Sequence, residues 1–290
     1  MDTNTDNLIY DSEYLLEFND ATINLRGHKI LDSLSFKLRQ GEHLAIIGPN
    51  GSGKSSLIKS ITRDYYPVNE TGGPPVRIFG EDAWNVMELR KLLGIVSPDR
   101  QEICHRYISG MEMVLSGFFS SVGLFFCHTV TEEMKAKANE VIEFLGIQRL
   151  TDKPMTEMSS GEARLVLIAQ ALVHDPKALI LDEPSNSLDF KATRQFRDVV
   201  RKVAQSGKSI ILVTHNLQDI IPEIQRVILI KNGSILQDGQ KEDILNSHNL
   251  YALFETPLQV HCDGGYYSIT DRDDTSEESL MTLSSKEQDF

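Results

Sequence analysis

An α/β fold is predicted by three short apolar runs: Leu44-Ala45-Ile46-Ile47, Ala178-Leu179-Ile180-Leu181 and Ile210-Ile211-Leu212-Val213. Each reads as a buried strand, and each ends in polar, reactive residues, where open parallel sheets bind ligands. The second ends in Asp182-Glu183-Pro184 and the third in Thr214-His215. Between them Phe196, Val199, Val200 and Val203 recur at helical spacing, and Gly207 closes the segment. Strand, helix and strand in that order are the alternation of an α/β domain.

The remaining elements follow along the chain. Leu34, Phe36 and Leu38 alternate with Ser35 and Lys37, as in a half-buried strand, and Gln40-Gly41 turns into the first apolar run. Gly94-Ile95-Val96 reads as a further strand. Arg226-Val227-Ile228-Leu229-Ile230, then Asn232-Gly233, then Ser234-Ile235-Leu236 predict a hairpin with a tight turn. Residues 101–158 differ: Ala138, Val141, Ile142 and Leu145 form one helical stripe, and no strong strand signal interrupts them. They read as a helical subdomain carried by the α/β core. Phe118, Phe119, Phe125 and Phe126 are expected to pack this lobe rather than form an exposed docking surface. Cys104-His105 and Cys127-His128 offer two thiolates and two imidazoles, but their spacing matches no common zinc module.

Composition bounds the function. A chain of 290 residues, 40% hydrophobic, can bury a full core as one large domain. Its longest apolar stretch, residues 117–127, is too short to span a bilayer, and the N-terminal sequence lacks the basic-then-apolar order of a secretory signal. Cytoplasmic residence is the expectation, and three cysteines fit a reducing compartment. A net charge of −13 argues against a nucleic-acid partner, which would have to be met with Lys and Arg. Eight acidic residues against two basic fall in residues 263–290, a Ser/Thr-rich stretch. Residues 256–290 therefore read as a disordered acidic tail beyond a domain at 14–255. A folded extension is the alternative, carried by Gly264-Gly265-Tyr266-Tyr267-Ser268-Ile269.

The first strand runs into Gly48-Pro49-Asn50-Gly51-Ser52-Gly53-Lys54-Ser55, followed by Ser56 and the helical Leu57-Ile58. Glycines at these positions let successive backbone N–H groups turn inward on phosphates, and the helix adds the positive end of its dipole. Lys54 would reach the β/γ oxygens and the Ser55 hydroxyl would hold Mg²⁺, so the loop handles a nucleoside triphosphate. Asp182 suits a contact to the metal and Glu183 suits a base that activates water. Ser159 and Glu162 form a capping box before the nearly all-apolar helix at 163–173, which is sufficient structural reason for both; a capped N-terminus with Ser and Gly is also an anion site.

Taken together these segments resemble the ATP-binding cassette (ABC) ATPases over residues 14–250. Residues 48–56 match the family's Walker A. Ser159, Ser160, Gly161 and Glu162 match its signature sequence, and Leu179-Ile180-Leu181-Asp182-Glu183 matches Walker B with its catalytic glutamate. Ser187-Leu188-Asp189 is similar to the D-loop, His215 to the switch histidine that contacts the γ-phosphate, and Gln101 to the metal-linked glutamine of the Q-loop. Where the family usually stacks an aromatic residue on adenine, this chain has Leu25.

The resemblance implies a P-loop NTPase with a RecA-like core, N-terminal antiparallel strands and a helical subdomain. It further implies Mg²⁺-dependent hydrolysis of ATP to ADP and phosphate. Such cassettes pair head to tail, as a homodimer or with a related ATPase subunit, so Ser159 and Gly161 would act on the partner's nucleotide. The leading expectation is the ATPase subunit of a transporter, peripheral on the inner face of the cell membrane and partnered by separate integral membrane subunits. The alternatives are a non-transport ABC ATPase serving translation, repair or cofactor assembly, and a phosphoryl transferase. The last leaves the signature residues, Glu183 and His215 unexplained as a set.

Overall fold

The computed structural model describes residues 12–97 and 107–271. The chain opens with an antiparallel pair, β1 (Tyr14–Leu25) and β2 (His28–Arg39). It then passes through β3 (Leu44–Ile47) and helix α1 (Lys54–Ile61), and β4 (Val76–Ile78) returns to the free edge of β1. Helix α2 (Val86–Leu92) leads into β5 (Leu93–Val96). The later strands are β6 (Ala178–Asp182), β7 (Ser209–Thr214), β8 (Arg226–Lys231) and β9 (Ser234–Gln240). With β3 and β5 they form a second sheet of order β5-β6-β7-β3-β8-β9, parallel from β5 to β8 with β9 antiparallel at the edge. The predicted α/β core and its strands are therefore present, with the turn residues Asn232 and Gly233 at φ 50° and 80°, as a two-residue hairpin turn requires.

The strand runs are apolar throughout because both faces of this sheet are covered. Leu44, Ile46, Ala178, Ile180, Ile211 and Val213 pack toward β1, β2, β4 and α1. Their alternates Ala45, Ile47, Leu179, Leu181, Ile210 and Leu212 pack toward the helices on the other side. Each fully buried Leu or Ile contributes roughly 1.5–3 kcal/mol, so strands of four to six residues are anchored firmly enough to hold a site at their ends.

The helical lobe consists of α3 (Gly110–Ser116), a 3-10 turn at Gly117–Phe119 and α4 (Glu132–Leu145), whose buried residues are the predicted stripe Ala138, Val141, Ile142 and Leu145. Helix α5 (Ser160–Leu172) lies between lobe and sheet, touching α3, α4 and β5, which is why it is apolar nearly all round. Helix α6 (Phe190–Gln205) buries Phe196, Val199, Val200 and Val203 as its spacing predicts. Two short helices, α7 (Lys241–Ile244) and α8 (Ser247–Phe254), follow β9.

Two expectations are corrected. Phe118 packs against the core and Phe119 stacks on His128 at 4.1 Å, but Phe125 is half exposed and Phe126 fully exposed. Residues 120–131 contain no helix, and neighbouring side chains in such a segment cannot all turn inward. The second concerns the tail: β10 (Leu258–Asp263) and β11 (Tyr266–Asp271) form a hairpin there, with Leu258 and Tyr267 buried. Acidic composition averaged over 263–290 conceals a local apolar pattern, since only Asp263 and Asp271 of the eight acids belong to the hairpin. Gln101, Cys104 and His105 lie outside the described residues.

Candidate active site

Strand β3 delivers the chain into the 48–53 loop, which is moulded by its neighbours. A Cβ on Gly48 would lie 2.3 Å from the Ile230 carbonyl oxygen and 2.5 Å from Ser52 Oγ. Gly53 has φ +106°, and a Cβ there would lie 2.8 Å from the Ile30 carbonyl oxygen. The turn between β8 and β9 supports the loop from beneath: Gly233 N–H donates to the Ser52 carbonyl at 2.9 Å, and Asp32 N–H donates to the Gly233 carbonyl at 2.9 Å. Ser52 Oγ is buried without a protein partner, as suits a loop shaped around an anion.

Lys54 is buried within this loop. Its Nζ donates to the carbonyls of Gly48 at 2.8 Å and Pro49 at 3.1 Å, and lies 3.4 Å from Glu183 Oε1. Glu183 leaves the end of β6 at φ +44°, a left-handed conformation that costs roughly 1–3 kcal/mol outside glycine. Its N–H donates to the Val213 carbonyl at 2.8 Å, which fixes it against β7. The second carboxylate oxygen, Oε2, lies 2.7 Å from His215 Nδ1, close but too oblique for a good hydrogen bond, and accepts from the His215 N–H at 3.4 Å. One half-buried carboxylate thus joins the loop after β3 to the end of β7. Such a carboxylate can take a proton from water, while Lys54 can move from protein carbonyls to phosphate oxygens.

A polar cluster that motif reading missed lies beneath the pair. Thr214 Oγ1 donates to Asp219 Oδ2 at 2.7 Å, Asn216 N–H donates to Thr214 Oγ1 at 3.0 Å, and Asn216 Nδ2 donates to Ser185 Oγ at 3.4 Å. Burial pushes the Asp219 carboxyl upward, opposed by the hydroxyls of Ser185 and Thr214 and by the charge of Arg197. Only a sequence signal as weak as an acid shortly after a buried strand marks it.

The signature residues form a separate group. Ser159 Oγ accepts from the Glu162 N–H at 3.2 Å, and Glu162 Oε2 accepts from the Ser159 N–H at 3.1 Å, completing the predicted box at the start of α5. Lys153, at 2.6 Å, and Arg149 clamp Glu162 and hold its carboxyl down at about 2 against the opposing effect of burial. A Cβ on Gly161 would lie 2.5 Å from Ala192 Cβ, so close packing of α5 on α6 demands glycine there. Ser160 Oγ donates to the Ser187 carbonyl at 3.1 Å, tying this group to the turn before α6. Among the described residues no hydrogen bond or ion pair joins Ser159 or Gly161 to Lys54, Glu183 or His215. Ser55 and Ser56 lie in the first turn of α1, Ser55 exposed, while Asp182 is half-buried at the end of β6. Leu25 ends β1, partly exposed beside the turn to β2.

Residues 31–186 match the family model described as ABC transporter. The chain belongs to the ABC transporter family. The cassette is 32% identical over 248 residues to an uncharacterized ABC transporter ATP-binding protein of Bacillus subtilis, YlmA, covering 85% of this chain and 93% of that one. Among solved structures, the ADP conformation of MJ1267, an ATP-binding cassette of an ABC transporter, superposes with TM-score 0.73 at 26% identity, over 83% of this chain and 97% of that one. The cbiO1 protein of Clostridium perfringens, part of the ABC transporter complex cbiONQ, gives TM-score 0.69 at 25% identity over 83% and 94%. The fold is that of the ABC ATPases, a P-loop NTPase with an antiparallel N-terminal sheet and a largely parallel core sheet. This cassette is the ATP-binding subunit of an ABC transporter and hydrolyses ATP to ADP and phosphate.

Proposed function

We propose that the cassette closes head to tail with a second one, a copy of itself or a related ATPase subunit, over two ATP molecules. It thereby drives substrate through separate integral membrane subunits from the cytoplasmic face of the membrane. Residues 48–56 cradle the phosphates, with Lys54 on the β/γ oxygens. Glu183 takes the proton of the attacking water and His215 contacts the γ-phosphate. Ser159 and Gly161 meet the nucleotide of the partner cassette, which agrees with their distance from the Lys54 cluster in bonding terms and with the exposure of Ser159.

Mg²⁺ fits the donor set. The hydroxyl of Ser55 and the carboxylate of Asp182 are hard oxygen ligands, with Gln101 as a third, and few protein ligands are needed when phosphates supply the rest. The ion would neutralise charge on the β- and γ-phosphate oxygens. Among the described residues no group of three His, Cys, Asp or Glu side chains offers a competing all-protein cage.

The observation that carries the hydrolytic reading is the bridge from Lys54 through Glu183 to His215. No helix among the described residues is long and apolar enough to cross a membrane. The lobe that presents Phe125 and Phe126 supplies a surface for the membrane subunits. The test is an affinity pull-down of Glu183→Gln protein from detergent-solubilised native membranes with ATP present. A polytopic membrane protein in stoichiometric amount is expected; a homodimer alone, or one with cytosolic factors, would overturn the assignment of membrane partners.

A further inference from the structure

The hairpin β10–β11 is not an appendage lying anywhere on the surface. Strand β11 packs along the 3-10 turn Leu217–Asp219, the first structure after His215. Tyr267 is 5% exposed and joins the apolar cluster that includes Leu217, Ile220, Ile221 and Ile224. Gly265 sits so near Pro222 that an added Cβ would lie 3.3 Å from its Cβ. The Tyr266 ring covers the Arg197 guanidinium of α6 at 5.4 Å, and Arg201, one turn further along α6, grips Glu223 at 2.8 and 3.0 Å. The segment 216–225 is thus held between α6 and the hairpin.

This packing matters because the segment has one 3-10 turn and no strand ladder of its own to hold it. The His215 side chain is 42% exposed, so its direction depends on the backbone on either side of it. From the hairpin the packing passes to the turn that carries Asp219. Asp219 accepts from Thr214, Asn216 donates to Thr214 and to Ser185, two residues beyond Glu183, and the charge of Arg197 acts on Asp219 without a direct bond. These contacts end on the chain neighbours of both His215 and Glu183.

We infer that the β10–β11 hairpin holds the turn after His215 in working register, making Tyr266 and Arg197 positioning residues for the Glu183–His215 pair. The inference rests on the hydrolytic roles given above to those two residues. Misplacing a reacting group by about 1 Å costs up to about 100-fold in rate. The hairpin packs on α6, α8 and the turn, so its loss is expected to act on turnover rather than on nucleotide affinity.

The test uses the full-length chain with Tyr266→Ala, Tyr266→Phe and Arg197→Gln, measuring kcat and KM for ATP together with amide exchange of residues 214–221. Tyr266→Ala and Arg197→Gln are expected to lower kcat about five- to thirtyfold with KM changed less than twofold. Exchange across 214–221 rises in both, while the melting temperature stays near that of the parent. Tyr266→Phe keeps the ring over Arg197 and restores kcat to within twofold. A wild-type kcat in Tyr266→Ala, or a loss of kcat that tracks a general fall in melting temperature and is not rescued by Tyr266→Phe, overturns the inference. Glu183→Gln run alongside separates the two levels: if it hydrolyses ATP like the parent, the catalytic assignment fails first.

Discussion

Glu183→Gln preserves the shape of the side chain and removes one negative charge from between Lys54 and His215. At 3.4 Å from Lys54, with an effective dielectric of about 20, the gross attraction lost is ~5 kcal/mol. Most of that is offset by the cost of desolvating two side chains that are 6% and 14% exposed, leaving ~1–2 kcal/mol net. A lysine released from this contact is free for phosphate, so ATP affinity should rise about 5- to 30-fold. With Glu183 as the base proposed above, hydrolysis should slow about 10²- to 10⁴-fold. Equilibrium titration with a fluorescent ATP analogue, single-turnover hydrolysis of labelled ATP and size-exclusion chromatography together resolve binding, chemistry and dimer closure. The expected picture is a tight, slow and closed dimer. Turnover within threefold of the parent would remove Glu183 as the base; ATP binding weakened more than tenfold would mean that the Lys54–Glu183 contact supports the nucleotide rather than competing with it.

Lys54→Ala removes charge-assisted hydrogen bonds worth about 1.5–3 kcal/mol, so calorimetry should find ATP bound roughly 10- to 150-fold more weakly; an unchanged Kd would dismiss its contact with phosphate. Ser159→Arg should leave ATP binding by the single chain intact yet abolish dimer closure in chromatography, and full ATPase activity would sink the shared site. Glu162 is held near 2 from an ordinary value of 4.5, so the stability it lends to the start of α5 is intact above about pH 4.5 and lost as pH falls toward 2. Glu162→Gln should therefore flatten the dependence of melting temperature on pH across that window, and a slope as steep as the parent's would show that the acid sensitivity lies elsewhere.

Much of this structure is legible in the sequence because a two-sided sheet forces contiguous apolar runs, and the polar residues proposed for the site lie just past their ends. Gly48, Lys54, Asp182, Glu183 and His215 all fall there. The helical stripe of α4 and the Asn232-Gly233 turn are equally local patterns, set by 3.6-residue periodicity and by positive φ. Phe125 and Phe126 escape such reading because side-chain direction in a segment without regular structure has no period to follow. The hairpin after residue 257 is obscured by charge in the residues beyond it. Asp219, Ser185 and Arg197 cannot be found by motif at all, since their relation exists only once β6, β7 and α6 are side by side. What the sequence leaves ambiguous at Ser159 is different in kind, because the structural and functional readings use the same atoms.

That ambiguity can be resolved chemically. A hydroxyl has one proton to donate and two lone pairs to accept with, and the cap on α5 uses only acceptance: Ser159 Oγ takes the Glu162 N–H at 3.2 Å. The hydroxyl proton remains available to a phosphate in the proposed head-to-tail pair, so capping and the proposed nucleotide contact do not compete. Gly161 cannot test this, because any side chain there meets Ala192 at 2.5 Å and disturbs packing before it touches a nucleotide. Ser159→Asp can. Aspartate caps a helix about as well as serine, so the melting temperature should hold within a few degrees, whereas Ala would cost about 1 kcal/mol. It has no proton to give, and it sets a negative charge against the partner's phosphates. The expected protein is fully folded, binds ATP as a single chain and neither closes nor hydrolyses cooperatively; parental ATPase activity in the Ser159→Asp protein would mean that Ser159 serves the helix alone.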